Sequence, residues 1–259
     1  MRIRAGDISL NYELQGKGKT LSLIHGMGND LSVWEQQVPR WSEHYRVLAY
    51  DVRGHGQSDG PPGPYSIQQF AEDHYMLLKA LAIGSNFVLG FSMGGVIALQ
   101  FALDHPEMTD GLIVVSSSSE VSEKAVSMYE QMAALIEQRG MQAIAGLENS
   151  IFAPEFIQQN PVVVAEYGEK LLRNDPKGYA AAARAVSLYN LTSELGKISC
   201  SSLLIVGDKD TTVGVGGSVI MSRHIANSKL VIVPGAGHVI MKESAGTLTN
   251  EVLDFLAPL

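Results

Sequence analysis

Ser92 lies between Gly90 and Gly94, directly after the apolar run Phe87-Val88-Leu89 and at the head of a helical pattern. A serine in that setting reads as a nucleophile elbow. A sharp strand-to-helix turn holds its hydroxyl above a sheet, and glycines are needed where a Cβ would strike the adjoining elements. Such a serine attacks a carbonyl carbon only with help: a base to take its proton, an acid to orient the base, and N–H donors for the oxyanion. Further along, Ser202-Leu203-Leu204-Ile205-Val206 ends in Gly207-Asp208-Lys209-Asp210, and Leu230-Val231-Ile232-Val233 ends in Pro234-Gly235-Ala236-Gly237-His238. The imidazole of His238 suits a base, because its unperturbed pKa lies near working pH. Asp208 and Asp210 both lie in the loop after their strand, and either can reach as the acid. Upstream, Leu21-Ser22-Leu23-Ile24 runs into His25-Gly26-Met27-Gly28, a glycine-rich loop suited to offering a backbone N–H.

All of these residues stand just past the carboxyl ends of apolar runs, where open α/β sheets build their sites. Strand patterns alternate with helical ones, which predicts a mostly parallel sheet covered on both faces. Ile8 to Leu14 alternates in polarity and ends near Gly16, as in an antiparallel edge hairpin. Val47 to Tyr50 and Leu112 to Val115 are further strands. Ser66 to Leu81 reads as a helix with Ser66 as its N-cap. Met93 to His105 is the helix behind the serine, stopped by Pro106, and the last helix occupies much of Lys242 to Leu256. Between Glu120 and about Leu195 the pattern turns helical without strands, and Pro154, Pro161 and Pro176 divide it into three or four pieces.

On these motifs the chain resembles the α/β-hydrolase superfamily over nearly its whole length, with a less recognisable insert in the middle. Asp51-Val52-Arg53-Gly54-His55-Gly56-Gln57-Ser58-Asp59 is similar to that family's turn after an early strand. Gly60-Pro61-Pro62-Gly63-Pro64-Tyr65-Ser66 and Gly90-Phe91-Ser92-Met93-Gly94-Gly95 resemble the carboxylesterase and 3-oxoadipate enol-lactonase branch. The resemblance implies an α/β-hydrolase fold: a mostly parallel central sheet flanked by helices, with a helical cap. Residues 1–119 and 196–259 would form the core, and 120–195 the cap inserted after the sixth strand. It implies a Ser92–Asp210–His238 triad, since Asp210 with Gly207 matches the family's Gly-x-x-Asp pattern, and Glu120 after the sixth strand is the alternative acid. Gly214-Val215-Gly216-Gly217 departs from relatives that carry a proline soon after the acid. The backbone N–H groups of Met27 and Met93 would receive the oxyanion.

The implied activity is hydrolysis of carboxylic esters, lactones included, through an acyl-enzyme. Carbon–carbon bond hydrolysis, perhydrolysis or peptide cleavage on the same triad, and a slow-turnover ligand receptor, remain alternatives because function lives in the pocket. Trp34, Met128, Met132, Phe152 and Tyr189 are the expected substrate-binding side chains. Met141, Phe156 and Tyr167 are further candidates from the insert, and for any of them packing of the insert onto the sheet is the competing role. Arg139, Arg173 and Arg184 are the insert's arginines, read as solvated helix residues. His25 is expected to brace its loop, and His55 to serve a glycine turn.

Composition bounds the rest. A chain of 259 residues is long enough for one α/β domain with an insertion. A formal net charge of −8 without a basic stripe argues against nucleic acid and anionic membrane surfaces as partners. The partner expected is a small-molecule ester or lactone. No apolar run approaches a membrane span, the first residues lack a signal peptide's apolar core, and the single cysteine, Cys200, fits a reducing compartment, so the cytoplasm is expected. No metal and no cofactor is expected, because the chain carries no H-E-x-x-H helix, clustered Cys/His set, P-loop or dinucleotide fingerprint.

Overall fold

The computed structural model describes residues 1–259. Its apolar runs form eight strands: β1 (Arg2–Ala5), β2 (Ile8–Gln15), β3 (Thr20–Ile24), β4 (Arg46–Tyr50), β5 (Asn86–Phe91), β6 (Thr109–Val115), β7 (Ser202–Gly207) and β8 (Ser228–Val233). They make one sheet in the order β1-β2-β4-β3-β5-β6-β7-β8. Strands β1, β2 and β4 pair antiparallel, and every pair from β4 to β8 is parallel. Successive side chains point to opposite faces, and both faces are covered, so the central strands read as unbroken apolar runs. In β6, Leu112 and Val114 join one core with Val88 and Leu204, whereas Ile113 and Val115 join the other with Leu89, Leu203 and Ile205.

Before β6 the connections form α1 (Val38–Trp41), α2 (Ile67–Ala80) and α3 (Met93–Asp104). Ser66 caps α2, its side chain accepting the Gln69 N–H. Helix α3 is buried almost all round, in keeping with its near-continuous apolar sequence. Between β6 and β7 lie α4 (Glu123–Arg139), α5 (Glu148–Ile151), α6 (Pro154–Gln159), α7 (Pro161–Leu172) and α8 (Pro176–Ser187). After β7 come α9 (Gly214–His224), α10 (Ile240–Glu243) and α11 (Ala245–Leu256). Phe70 and Leu77 of α2, Ile97 and Phe101 of α3, and Met221 of α9 pack on one face of the sheet. Trp41 of α1, Ile240 of α10, and Leu248, Val252 and Leu256 of α11 pack on the other. Ala133 and Ile136 of α4 and Tyr179, Ala180 and Ala183 of α8 form a third, separate cluster.

Three details differ from the expectation. The antiparallel edge hairpin is there, but its other arm is β1, which forms the edge and leaves β2 paired on both sides. The short Arg-Ile-Arg-Ala of β1 alternates too briefly to register as a strand. The insert holds five helices, because Gly140 (φ 70°) ends α4 early and each of Pro154, Pro161 and Pro176 occupies the first turn of a new helix. A first-turn N–H has no intrahelical acceptor, so proline starts a helix there at no hydrogen-bonding cost. The last helical stretch is divided at Ser244, whose non-helical backbone (φ −142°, ψ 50°) separates α10 from α11. No helix is long and apolar enough to cross a membrane.

Candidate active site

Ser92 joins β5 to α3 with φ 53° and ψ −118°, a conformation L-residues avoid. The strain is held by hydrogen bonds on both sides. Its N–H donates to Val115 O at 2.9 Å, and its carbonyl accepts from Gly95 N–H and Ser117 Oγ–H, each at 2.8 Å. Close approach fixes the glycine two residues on: a Cβ at Gly94 would collide with Ile24 O and lie 2.6 Å from His25 O. The head of α3 therefore sits directly against the end of β3.

Ser92 Oγ lies 3.0 Å from His238 Nε2, and His238 Nδ1 lies 2.9 Å from Asp210 Oδ2. An ionised carboxylate only accepts, so Nδ1 carries the proton and Nε2 is free to accept the Ser92 hydroxyl. The other oxygen, Asp210 Oδ1, accepts the N–H groups of Thr212 at 2.9 Å and Val213 at 3.1 Å. Burial on its own would raise the Asp210 pKa, but the charge and hydrogen bond of His238 and these two N–H groups outweigh it and hold the carboxyl below its ordinary value. His238 is itself placed by its backbone N–H, which donates to Ile151 O at 2.8 Å, and by the Phe91 ring 5.1 Å away. The alternative acids are turned elsewhere. Asp208 Oδ1 accepts the Gly235 N–H at 2.7 Å, and Glu120 Oε2 accepts the Thr192 hydroxyl at 2.8 Å.

The early loop reaches the same point. A Cβ on Gly26 would lie 3.1 Å from the Ser92 Cβ, so this backbone runs beside the serine. His25 pins it, donating from Nδ1 to Gly26 O at 2.8 Å and accepting the Val52 N–H at Nε2 at 2.9 Å. The backbone N–H groups of Met27 and Met93 donate to no carbonyl or side chain of the protein. Met93 follows Ser92 in the chain and Met27 borders the same cavity, so both free donors lie near the serine.

A cavity of about 180 Å³ opens over Ser92 and His238. Met27, Asn29, Phe91 and Thr212 border it from the sheet side, and residues of α4, α5, α7 and α8 border it from the insert. Of the expected substrate-binding residues, Met128 and Met132 line it, with Met128 half exposed at the rim. Trp34, Phe152 and Tyr189 do not, which corrects the expectation for these three. Trp34 is fully buried, edge-on to Phe91 at 6.4 Å and beside Trp41 at 6.3 Å, because a large ring gains most in the core. Phe152 packs between Phe156 and Tyr167 within the insert. Tyr189 turns its hydroxyl to Ser118 Oγ, 2.9 Å away, in an adjoining depression with Glu120 that shares Tyr129 and Thr212 with the cavity. None of Arg139, Arg173 and Arg184 borders the cavity. Arg184 pairs with Glu130 and Glu137, and Arg173 with Glu169.

Sequence reasoning passed over Glu243. Its carboxylate accepts the N–H groups of Ala153 at 2.8 Å, Gly237 at 2.9 Å and Val239 at 3.0 Å. It thus holds both neighbours of His238 and ties them to the start of α6. Burial raises its pKa despite these donors and the nearby charge of His238. The available signal was a lone acidic residue five positions after the histidine, at the end of a four-residue helix. Tyr129, Tyr179 and Asn29, which also border the cavity, carried no motif at all. No three His, Cys, Asp or Glu side chains come together as a metal-holding group.

Residues 19–245 match the sequence profile of the alpha/beta hydrolase fold family. The chain is 31% identical over 253 residues to 3-oxoadipate enol-lactonase 2 of Acinetobacter baylyi, spanning 96% of this chain and 94% of that protein. The crystal structure of the enol-lactonase from Burkholderia xenovorans LB400 matches with a TM-score of 0.95 at 28% identity, over 99% of this chain and all of the other. A thermophilic esterase from Thermogutta terrifontis matches with a TM-score of 0.94 at 27% identity, over 100% of this chain and 98% of the other.

Proposed function

Because the chain belongs to the alpha/beta hydrolase fold family, we propose that it hydrolyses carboxylic esters, lactones among them, through an acyl-enzyme on Ser92. The observation that carries this reading is the continuous path from Ser92 Oγ to His238 Nε2 at 3.0 Å and from Nδ1 to Asp210 at 2.9 Å. As Oγ attacks the carbonyl carbon, its proton passes to Nε2, and Asp210 stabilises the imidazolium. The carbonyl oxygen gains negative charge and turns to the N–H groups of Met27 and Met93. His238 then gives its proton to the leaving alkoxide. A water activated by the same Nε2 attacks the acyl-enzyme, and Ser92 recovers its proton.

Residues 120–195 are assigned as the cap. Side chains of α4, α5, α7 and α8 face Ser92 across the cavity and narrow its access to bulk water. The kinship to an enol-lactonase and an esterase supports ester and lactone substrates over other acyl compounds. The test is hydrolysis of p-nitrophenyl butyrate by the wild type and by Ser92→Ala, with melting curves for both. The variant should fold normally and lose about 10⁴-fold or more in kcat. Equal rates in the two proteins would remove Ser92 as the nucleophile.

A further inference from the structure

The cavity over Ser92 is bordered by three tyrosines from three different helices of the insert: Tyr129 of α4, Tyr167 of α7 and Tyr179 of α8. Tyr179 and Tyr167 are 1% and 7% exposed, yet their phenols are not locked into the protein. The hydroxyls of Tyr129 and Tyr179 donate to no group of the chain, and that of Tyr167 has only the Asn29 amide beside it. None of the three is sealed among the buried polar atoms, and all three border the cavity, Tyr129 bordering also the depression at Glu120 and Tyr167 the groove beside Lys170. Buried tyrosines ordinarily turn the hydroxyl to a partner, as Tyr65 does to Pro61 O, and Tyr50, sealed in the core without one, is an exception. Burial raises the pKa of Tyr179, and Tyr167 and Tyr129 add to the rise, so this phenol stays a protonated donor.

The remainder of the lining narrows what they can bind. No Lys, Arg, Asp or Glu borders the cavity. Lys170, Arg173 and Lys177 line a polar groove outside it that shares Asn29 with the cavity, and Lys170 and Lys242 line a second groove that shares Asn29 and Tyr167. A carboxylate inside would be desolvated without a counter-charge. An alkyl chain would pack on Met27, Leu147, Ile151 and Leu171 but would return no hydrogen bond to the three phenols. A volume of about 180 Å³ is small beside the usual range of ligand pockets, which favours a compact guest.

We propose that the substrate is a small, uncharged ester or lactone bearing an additional hydroxyl or keto oxygen, and that Tyr129, Tyr167 and Tyr179 select it by hydrogen bonding to that oxygen. This rests on the serine-hydrolase reading above and adds the specificity that reading leaves open. The test compares kcat/KM for methyl butyrate, methyl 3-hydroxybutyrate, 2-hydroxyethyl butyrate and monomethyl succinate, in wild type, Tyr129→Phe and Tyr179→Phe. At least one hydroxylated ester should exceed methyl butyrate by tenfold or more in the wild type, and anionic monomethyl succinate should be the poorest substrate. In the Phe variants the hydroxyl preference should fall toward one. Intrinsic ester reactivity cancels in the variant-to-wild-type ratio. Equal use of the plain and hydroxylated esters by the wild type would overturn the proposal. So would a Phe variant that loses both alike, or a preference for the succinate monoester. Retained turnover in Ser92→Ala would overturn only the nucleophile, because the hydroxyl preference is read as a ratio whatever group attacks. If no ester is turned over, the same discrimination is read from binding of 3-hydroxybutanamide against butanamide, by the ¹³C-methyl signals of Met27, Met128 and Met132. Equal binding of the two amides overturns the proposal in that case.

Discussion

Both oxygens of Asp210 have work that a neutral amide does poorly. Oδ2 receives His238 Nδ1–H, and Oδ1 receives two backbone N–H groups from Thr212 and Val213. An amide in place of this carboxylate would turn its NH₂ toward either Nδ1 or those donors. Facing Nδ1, it drives the imidazole into the tautomer that carries its proton on Nε2, where it can no longer accept from Ser92. Asp210→Asn should therefore lower kcat on p-nitrophenyl butyrate by about 10³–10⁴-fold with little change in melting temperature. Asp208→Asn keeps an acceptor oxygen for Gly235 N–H and should stay within about twofold, as expected for a surface change away from the site. Similar losses in the two variants would transfer the orienting role away from Asp210. At this scale the chain is unevenly legible. Ser92, His238 and their glycines stand out because a strained turn and a loop at a strand end restrict which residues fit. Tyr129 and Tyr179 do not, because a tyrosine on an amphipathic helix looks the same whether its hydroxyl meets a cavity or solvent.

The junction between β3 and α3 shows how elements set the site's tolerance. The backbone carbonyls of Ile24 and His25 occupy the space where a side chain at Gly94 would begin. Backbone at the end of a central strand cannot step aside, so α3 would have to move, and with it Ser92 and the Met93 N–H. Gly94→Ala should cost at least about 2 kcal/mol in urea unfolding, as overpacking does, and lower kcat/KM tenfold or more. Gly84→Ala meets nothing within 4 Å and should change stability by no more than about 0.5–1 kcal/mol. A Gly94→Ala protein as stable as wild type would mean that the approach of α3 to β3 is loose. The parallel strands were readable because burial on both faces leaves nothing polar to interrupt them. The alternating cover of helices follows from the same fact, since parallel neighbours need a crossover. The insert was readable as helical but not as five helices, nor in which face of each helix meets the cavity. Its breaks depend on the positive φ of Gly140 and on prolines that begin helices rather than end them. The inward faces are decided by packing between α4 and α8, which involves residues far apart in the chain.

For the molecule as a whole, the fold keeps more histidine than it can charge. His74 is wedged between the rings of Tyr50, stacked at 5.5 Å, and Phe101, at 4.7 Å. Burial pushes its pKa down to about 3, outweighing the nearby Asn86, and the charge of His105 acts in the same direction. His55, fully enclosed beside His25, is likewise pushed down to about 3 by burial and then by the charge of His25. In the unfolded chain both regain an ordinary pKa of about 6.5. Between about pH 6.5 and 3 the unfolded state therefore binds up to two more protons at these sites than the folded state does. Stability rises with pH where the unfolded state holds more protons, so acid removes it, by about 1.4 kcal/mol per pH unit for each histidine once both are charged in the unfolded chain. Urea unfolding from about pH 6.5 to 4.5 should show this slope, added to whatever the carboxylates and His25, whose pKa burial also lowers, contribute. His74→Leu removes one of the two proton sites. Whatever it does to absolute stability, it should flatten the slope by about 1.4 kcal/mol per pH unit near pH 5. A slope identical to wild type would mean that His74 is already charged in the folded protein, between two aromatic rings and with no carboxylate to pair it.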